Sequence, residues 1–160
     1  MRDELLSIIE KNSRIDFSEL AVLLGQPEEK VLEELSNLEK EGVICGYHTL
    51  INWEKTSISK VTALIEVKVT PQRGTGFDSI AERIYNYPEV KDVYLISGGY
   101  DLMVILEEKS LKEIANFVSY KLSTLENIFS VATHFILKKY KDHGTIINKK
   151  NKDEREIITP

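Results

Sequence analysis

The residues best suited to binding chemistry lie in one short run, Gly98-Gly99-Tyr100-Asp101. Two adjacent glycines let backbone N–H groups approach a ligand closely, because no Cβ intervenes. Such N–H groups suit a carboxylate, Asp101 can pair with an ammonium group, and Tyr100 offers a ring and a hydroxyl. The chemistry alone favours a simpler interpretation, in which the run is a hairpin turn and Asp101 bonds to the backbone.

A second candidate surface lies on the stretch from Pro27 to Ile44. Val31, Leu35 and Leu38 recur at helical spacing, so we expect them to face a core. The part from Pro27 to Glu41 carries six Glu and only two Lys. Carboxylates repel phosphates, although they can accept a hydrogen bond from cytosine N4. If this helix reads DNA, the predicted contacts are Gln26, Lys30, Glu33, Asn37 and Lys40. The alternative is a solvated face on a module that no longer binds DNA.

For catalysis the sequence offers little. It contains no nucleophile elbow, phosphate-binding glycine loop or zinc-ligand spacing, and His48, His134 and His143 are scattered. We therefore expect no enzyme activity, no metal site and no cofactor. Cys45 is the single cysteine and cannot form an internal disulfide, which fits a reducing cytoplasm. The longest apolar runs are strand-sized and the chain opens with an amphipathic pattern, so we expect neither a membrane span nor a secretory signal.

Composition and charge bound the remaining possibilities. The chain has 160 residues, 42% hydrophobic and 29% charged, which is typical of one globular domain or two small ones. Up to Thr56 there are six Lys/Arg against twelve Asp/Glu, and from Lys138 onward seven against four. A protein that binds DNA without sequence preference shows a basic face, because released counterions drive its binding. The acidic first third argues against that class.

The elements of the first third position the acidic stretch. Short helices are predicted from Asp3 to Asn12 and from Phe17 to Leu24, and a third begins at Pro27. Asp16 has the spacing of a capping box with Glu19, and Gly25 permits a tight turn. "VICGYHTLIN" is typical of a β-ribbon. Residues 1–56 are thus predicted to form a winged helix-turn-helix, and the alternative is a three-helix packing module without nucleic acid.

The elements of the second part position the glycine run. "KVTALIEVKV", "VKDVYLI", "YDLMVIL" and "IFSVATHFILKKY" are predicted strands, with helices from Phe77 to Tyr87 and after Ser110. The order β-α-β-β-α-β over residues 57–140 predicts a ferredoxin-like domain and an α+β fold. Apolar residues at both parities of Leu102–Leu106 indicate a sheet buried on both faces, and hence a second subunit. Residues 141–160 form a tail, in which Thr145-Ile146-Ile147 and Glu156-Ile157-Ile158 flank a polar run, as either a hairpin or a flexible end.

"FSELAVLLG", "LEKEGVICGY" and "SGGYDL", in that order, resemble the Lrp/AsnC (leucine-responsive or feast/famine) regulators of bacteria and archaea, over roughly Met1 to Tyr140. The resemblance implies that the N-terminal domain binds operator DNA. It implies a C-terminal domain, called RAM, that dimerises through its sheets and binds small effectors, commonly amino acids, between dimers. Assemblies would be dimers, tetramers or octamers. By this analogy the turn Gly98–Asp101 borders the effector pocket, and Thr133 and His134 are weaker candidates.

The sequence departs from the family pattern at two places. Members commonly carry Arg or Lys around Glu33, Glu34, Ser36 and Asn37, where this chain is acidic or neutral. The usual Pro-Gly-Val before the last strand is Glu126-Asn127-Ile128 here. The favoured function is a transcriptional regulator that senses a small effector, and the alternative is an oligomeric effector- or partner-binding module whose DNA binding is weak or lost.

Overall fold

A computed structural model of the chain describes residues 1–70, 74 and 76–147. The chain divides into two compact units, Met1–Leu50 and a second unit from Ile51 onward. The boundary predicted from sequence lies a few residues later, after Thr56. Among the described residues, no helix is long and apolar enough to cross a bilayer.

The first unit consists of three helices, α1 (Arg2–Lys11), α2 (Phe17–Leu24) and α3 (Glu28–Lys40). The predicted apolar stripes form its core, which buries Leu5, Leu20, Ala21, Val31, Leu35 and Leu38. Gly25 ends α2 in the left-handed conformation, with φ at 60°, as the tight turn requires. Asp16 does occupy the N-cap position of α2, but its side chain makes no capping hydrogen bond. The capping half of that prediction is therefore wrong.

The predicted β-ribbon over residues 43–52 is also wrong. This described segment contains no strand. The N–H groups of Val43 and Ile44 both donate to the carbonyl of Leu38, so the start of the segment completes the end of α3 instead of pairing with a strand. The Tyr47 hydroxyl donates to Oε1 of Glu39 at 2.9 Å, which holds the segment against α3. Burial and that hydrogen bond raise the pKa of Tyr47.

The second unit contains a four-stranded antiparallel sheet with two helices, and the α+β fold is confirmed. Its strands are β1 (Val61–Val69), β2 (Val90–Leu95), β3 (Leu102–Glu108) and β4 (Ile128–Phe135), in the order β2-β3-β1-β4. Helix α4 (Asp78–Tyr85) precedes β2, and α5 (Leu111–Phe117) follows β3 and continues into a π-helical turn, Val118–Leu122. Ser110 caps α5, because its hydroxyl accepts from the N–H of Glu113.

One face of the sheet is buried in the core of this unit. Ile65 lies opposite Val104 of β3 and Thr133 of β4, and directly opposed residues share a face. Side chains of this parity pack with those of α4 and α5 in a single core cluster, which includes Ala63, Ile65, Val67, Leu102, Val104, Leu106, Ile80, Ile84, Ile114 and Phe117.

The other side of the sheet, here called the open face, carries Leu64, Glu66, Met103, Ile105, Ala132 and His134. Leu64 pairs with Ile105, and Glu66 pairs with Met103, so apolar and charged residues alternate along it. Leu64, Met103 and Ile105 are only half-buried, because no described element covers them. The predicted double-sided apolar pattern of β3 is therefore present. At the edge of the open face, the negative charge of Asp92 is the main cause that raises the pKa of Tyr94.

The chain after β4 turns into a short ribbon of β5 (Lys141–Asp142) and β6 (Thr145–Ile146). The hairpin predicted from sequence used Thr145–Ile147 as one arm, and Glu156–Ile158, its other arm, lies outside the described residues. Thr145 and Ile146 instead pair with Asp142 and Lys141. Sequence patterning missed this arm because Lys141 and Asp142 are both charged.

Asn127 shows why the departure from Pro-Gly-Val before β4 is tolerated. Its φ is 72°, in the left-handed region, and its carbonyl accepts from the N–H of Thr70 at 2.8 Å. Glycine adopts this conformation without strain, and Asn is among the few other residues that adopt it readily. The backbone therefore keeps the glycine-like turn although the glycine is absent.

Candidate functional site

The turn between β2 and β3 is fixed by Asp101. The N–H of Ile96 donates to the Asp101 carbonyl at 2.8 Å, which closes the turn, and the N–H of Asp101 donates to the carbonyl of Val67 at 3.0 Å. The Asp101 carboxylate then accepts from the N–H of Val69 at 2.9 Å through Oδ2. Asp101 thus ties the β2–β3 turn to the end of β1, in the backbone-bonding role that the chemistry alone favoured.

Replacing Asp101 with Ala should destabilise the second unit. The half-buried N–H of Val69 would lose its acceptor, and an orphaned buried donor costs about 1–3 kcal/mol. We expect a lower melting temperature in circular dichroism, with Asp101→Asn retaining part of the stability because its amide oxygen can still accept. Unchanged melting of both variants would show that the Asp101–Val69 bond does not support the fold.

The two glycines of the turn are not explained by the fold itself. Neither has a positive φ. A Cβ added at Gly99 would meet nothing within 4 Å, and one added at Gly98 would meet only Cγ2 of Ile96 at 3.7 Å. Within the described residues, the N–H groups of Gly98 and Gly99 donate to no protein acceptor. The turn therefore presents exposed backbone donors that have no protein acceptor, and a side chain at Gly99 would meet open space.

Thr133 and His134 lie on opposite faces of the sheet. Because side chains alternate along β4, Thr133 lies opposite Ile65 on the helix-covered face, whereas His134 lies opposite Leu64 on the open face. Nε2 of His134 is 3.3 Å from Oε1 of Glu66, so His134 has a partner within the sheet. The role of these two residues in an effector site stays a prediction.

Four of the five predicted DNA-contacting residues lie on one side of α3. Lys30, Glu33, Asn37 and Lys40 follow each other at three- and four-residue steps, which places them on one helical face, whereas Gln26 precedes Pro27, the N-cap of the helix. Lys30, Glu33 and Lys40 are exposed. Nζ of Lys30 lies 3.4 Å from Oε1 of Gln26. This face is polar and carries one acid between two lysines, so it is less acidic than the whole helix.

Arg2 pairs with one acid on α3 and with the acid that caps its C-terminal end. Nε of Arg2 is 3.2 Å from Oε1 of Glu34, and its terminal nitrogen pairs with Glu41. Glu34 therefore faces α1, while its neighbour Glu33 faces outward. Sequence analysis grouped Glu33 with Glu34 and missed Arg2, because a pairing between distant residues leaves no signal in local spacing.

Comparison with known proteins gives a consistent match over most of the chain. Residues 62–146 match the family model described as the Lrp/AsnC ligand binding domain. The chain is 48% identical over 158 residues to YugG of Bacillus subtilis (strain 168), named as an uncharacterized HTH-type transcriptional regulator, with 98% of this chain and 95% of that protein covered. It is 30% identical over 141 residues to the HTH-type transcriptional regulator LrpA of Pyrococcus abyssi (strain GE5 / Orsay), with 88% and 97% covered.

Solved structures share the fold at lower identity. AsnC of E. coli superposes with a TM-score of 0.68 at 19% identity, covering 92% of this chain and 96% of that chain. The transcriptional regulator NMB0573 of Neisseria meningitidis, solved as a complex with L-Met, gives a TM-score of 0.71 at 20% identity, covering 88% and 90%.

Proposed function

Since the chain belongs to the Lrp/AsnC family of transcriptional regulators, we propose that its first unit binds operator DNA and its second unit binds an amino acid that changes DNA binding. The residues proposed to read DNA are Gln26, Lys30, Glu33, Asn37 and Lys40. Regulators of bacterial and archaeal genes act in the cytoplasm, which is the proposed location.

The observation that carries the effector half is the glycine turn. Two exposed N–H groups without protein acceptors, at Gly98 and Gly99, can receive the carboxylate of an amino acid. Oδ2 of Asp101 accepts from the N–H of Val69, so an ammonium group would bind the other carboxylate oxygen, Oδ1. The Neisseria meningitidis relative is a complex with L-Met, which supports an amino acid as the class of effector.

A second candidate function is favoured by the charge of α3. Glu33 is exposed at the centre of the proposed DNA-facing side. Its carboxylate would repel DNA phosphates at a position where a Lys or Arg side chain would attract them. The alternative is therefore an oligomeric effector- or partner-binding module with weak or lost DNA binding.

The test combines selected DNA with a variant of the turn. Duplexes are enriched from a random library by the full-length protein, and their affinity is measured by fluorescence anisotropy with each amino acid at millimolar concentration. We expect an enriched consensus whose affinity changes several-fold with at least one amino acid. Gly99→Val should keep the affinity for DNA and lose that change, because the added side chain occupies space the carboxylate needs while meeting nothing in the protein.

Each half of the proposal can fail separately. If no sequence is enriched, the DNA-binding half fails and the module alternative takes over. If Gly99→Val responds to amino acids like the wild type, the effector lies elsewhere than the glycine turn. Gly74, where φ is 91°, is not a suitable control because substitution there strains the backbone.

A further inference from the structure

We propose that the second unit holds another small-molecule site, separate from the glycine turn, which binds an aliphatic amino acid in a cleft beside Trp53 and Lys60. The inference rests on the proposed response to amino acids and names a second place where one binds. The cleft encloses about 110 Å³. This is less than the volume of about 150 Å³ of a closed cavity that holds benzene, but the cleft is open on one side, so an amino acid there would be only partly enclosed.

The cleft lies at the opposite end of the sheet from the glycine turn. Its floor includes Thr62 near the start of β1 and Glu107 near the end of β3, which are paired in register. The glycine turn is tied instead to Val67 and Val69. At about 3.3 Å per residue, Thr62 and Val67 are roughly 17 Å apart along β1, so one amino acid cannot fill both places.

One wall of the cleft is apolar. It contains the ring of Trp53, over which Nζ of Lys60 lies 4.0 Å from the ring centroid. The aliphatic side chains of Ile51, Ile136 and Ile147 also line the cleft. Such a surface favours a ligand with an aliphatic body, since its burial removes apolar area from water.

The two flanks of the cleft carry opposite charges that suit a zwitterion. Because β1 lies between β3 and β4, Glu107 stands on one flank, and Lys138 and Lys139, which follow β4, stand on the other. Asp142 also lines the cleft and lies 3.5 Å from Nζ of Lys139, so Lys138 is the lysine proposed to meet a carboxylate. Glu107 pairs with Lys60 through Oε1. Within the part of the chain that the structure describes, its Oε2 accepts no hydrogen bond, so Oε2 can receive an ammonium group while the carboxylate faces Lys138.

The cleft is also joined to the segment that follows the first unit. The amide of Asn52 donates to the carbonyl of Ile147 at 3.4 Å, and the N–H of Ile147 donates to the carbonyl of Tyr140 at 3.0 Å. These bonds hold the chain just after Leu50 against the β5–β6 ribbon. A ligand in the cleft would therefore lie beside Ile51 and Trp53, at the start of the second unit.

Trp53 provides the readout, because it is the one tryptophan in the sequence. L-leucine, L-isoleucine and L-valine are titrated into the full-length protein while the emission of Trp53 is followed. Glycine serves as the control ligand, since it carries the same charges without an aliphatic side chain. We expect a saturable change with at least one of the aliphatic amino acids and none with glycine. No saturable change with any of them would overturn the proposal.

Glu107→Gln and Glu108→Gln are a matched pair of variants. They make the same change of charge on adjacent residues of β3, and alternation puts them on opposite faces of the sheet. We expect Glu107→Gln to weaken binding on the order of tenfold or more, because a charge-assisted bond is lost, and Glu108→Gln to bind like the wild type. Equal affinities of the two variants would place the ligand elsewhere.

Gly99→Val separates the cleft from the proposed effector site. We expect this variant to keep the Trp53 response. If the Trp53 response disappears with Gly99→Val, the signal originates at the turn and the second site does not exist. If the Trp53 response persists while amino acids never change the DNA binding of the wild type, the cleft site stands and the proposed regulation fails.

Discussion

Replacing Ile105 with Lys should convert the protein from an oligomer into a monomer. Ile105 lies at the centre of the open face, beside Leu64 on β1. The helices cover only the other side of the sheet, and an uncovered apolar sheet face calls for a second layer. We propose that a second copy of the chain supplies that layer. Burying a charge in such an interface requires its removal from water, which costs several kcal/mol, enough to abolish association at micromolar concentration.

The substitution is chosen so that the single chain still folds. In the sheet, Ile105 also lies opposite Asp92 of β2, so a Lys at 105 gains an acidic neighbour in the monomer. Leu111→Lys is the matched control, because Leu111 is 54% exposed at the start of α5, away from the open face. Light scattering should report at least a dimer for the wild type and the control, and a monomer for Ile105→Lys. A wild type that is already monomeric, or a variant of unchanged mass, would refute assembly through the open face.

Replacing Glu33 with Arg should make DNA binding both tighter and more sensitive to salt. The change adds two positive charges per chain to the centre of the proposed DNA-facing side of α3, without touching Val31, Leu35 or Leu38 in the core. Each new phosphate contact steepens the log–log salt dependence by about 0.9. The affinity for duplex DNA should therefore rise at low salt. The log–log salt slope should steepen by about 0.9 for each chain that gains one phosphate contact.

Glu34→Arg provides the contrast for that experiment. It makes the same change of charge one residue away, but Glu34 faces Arg2 on α1, so the new Arg would be repelled by Arg2 instead of meeting phosphate. We expect an unchanged salt slope and a slightly lower melting temperature, since an exposed pair of this kind contributes about 0–1 kcal/mol. Identical slopes for the wild type and Glu33→Arg would mean that α3 does not meet DNA, and the module alternative would gain support.

The elements set by periodic burial could be predicted from the sequence. Helix α2 was predicted with the bounds it has, and the four strands in the order β-α-β-β-α-β were correct in type and sequence. The spacing of their apolar residues is visible within each element, because one side of each helix or strand faces a core. The glycine turn was singled out by its residue types, and the family resemblance then favoured an effector site over a plain hairpin turn.

The features that could not be predicted from the sequence depend on contacts between residues far apart in the chain, or on which of two acceptors a backbone N–H group bonds to. The predicted ribbon after Gly42 does not form at its start, because the N–H groups of Val43 and Ile44 donate to the carbonyl of Leu38. The ion pairs of Arg2 bring together residues that are far apart in sequence, and so does the cleft beside Trp53 and Lys60. Residue type and local spacing do not predict such contacts.

The absence of strain at Gly99 has a genetic consequence. A Val there meets nothing in the folded chain and needs no unusual φ, so the altered subunit should accumulate like the wild type. If the chains co-assemble through the open face, such subunits would enter mixed oligomers with normal ones and leave them only partly responsive. An allele at Gly99 should therefore be dominant over the wild-type copy. An allele at Asp101 removes a bond that the fold uses, lowers abundance through instability, and should be recessive.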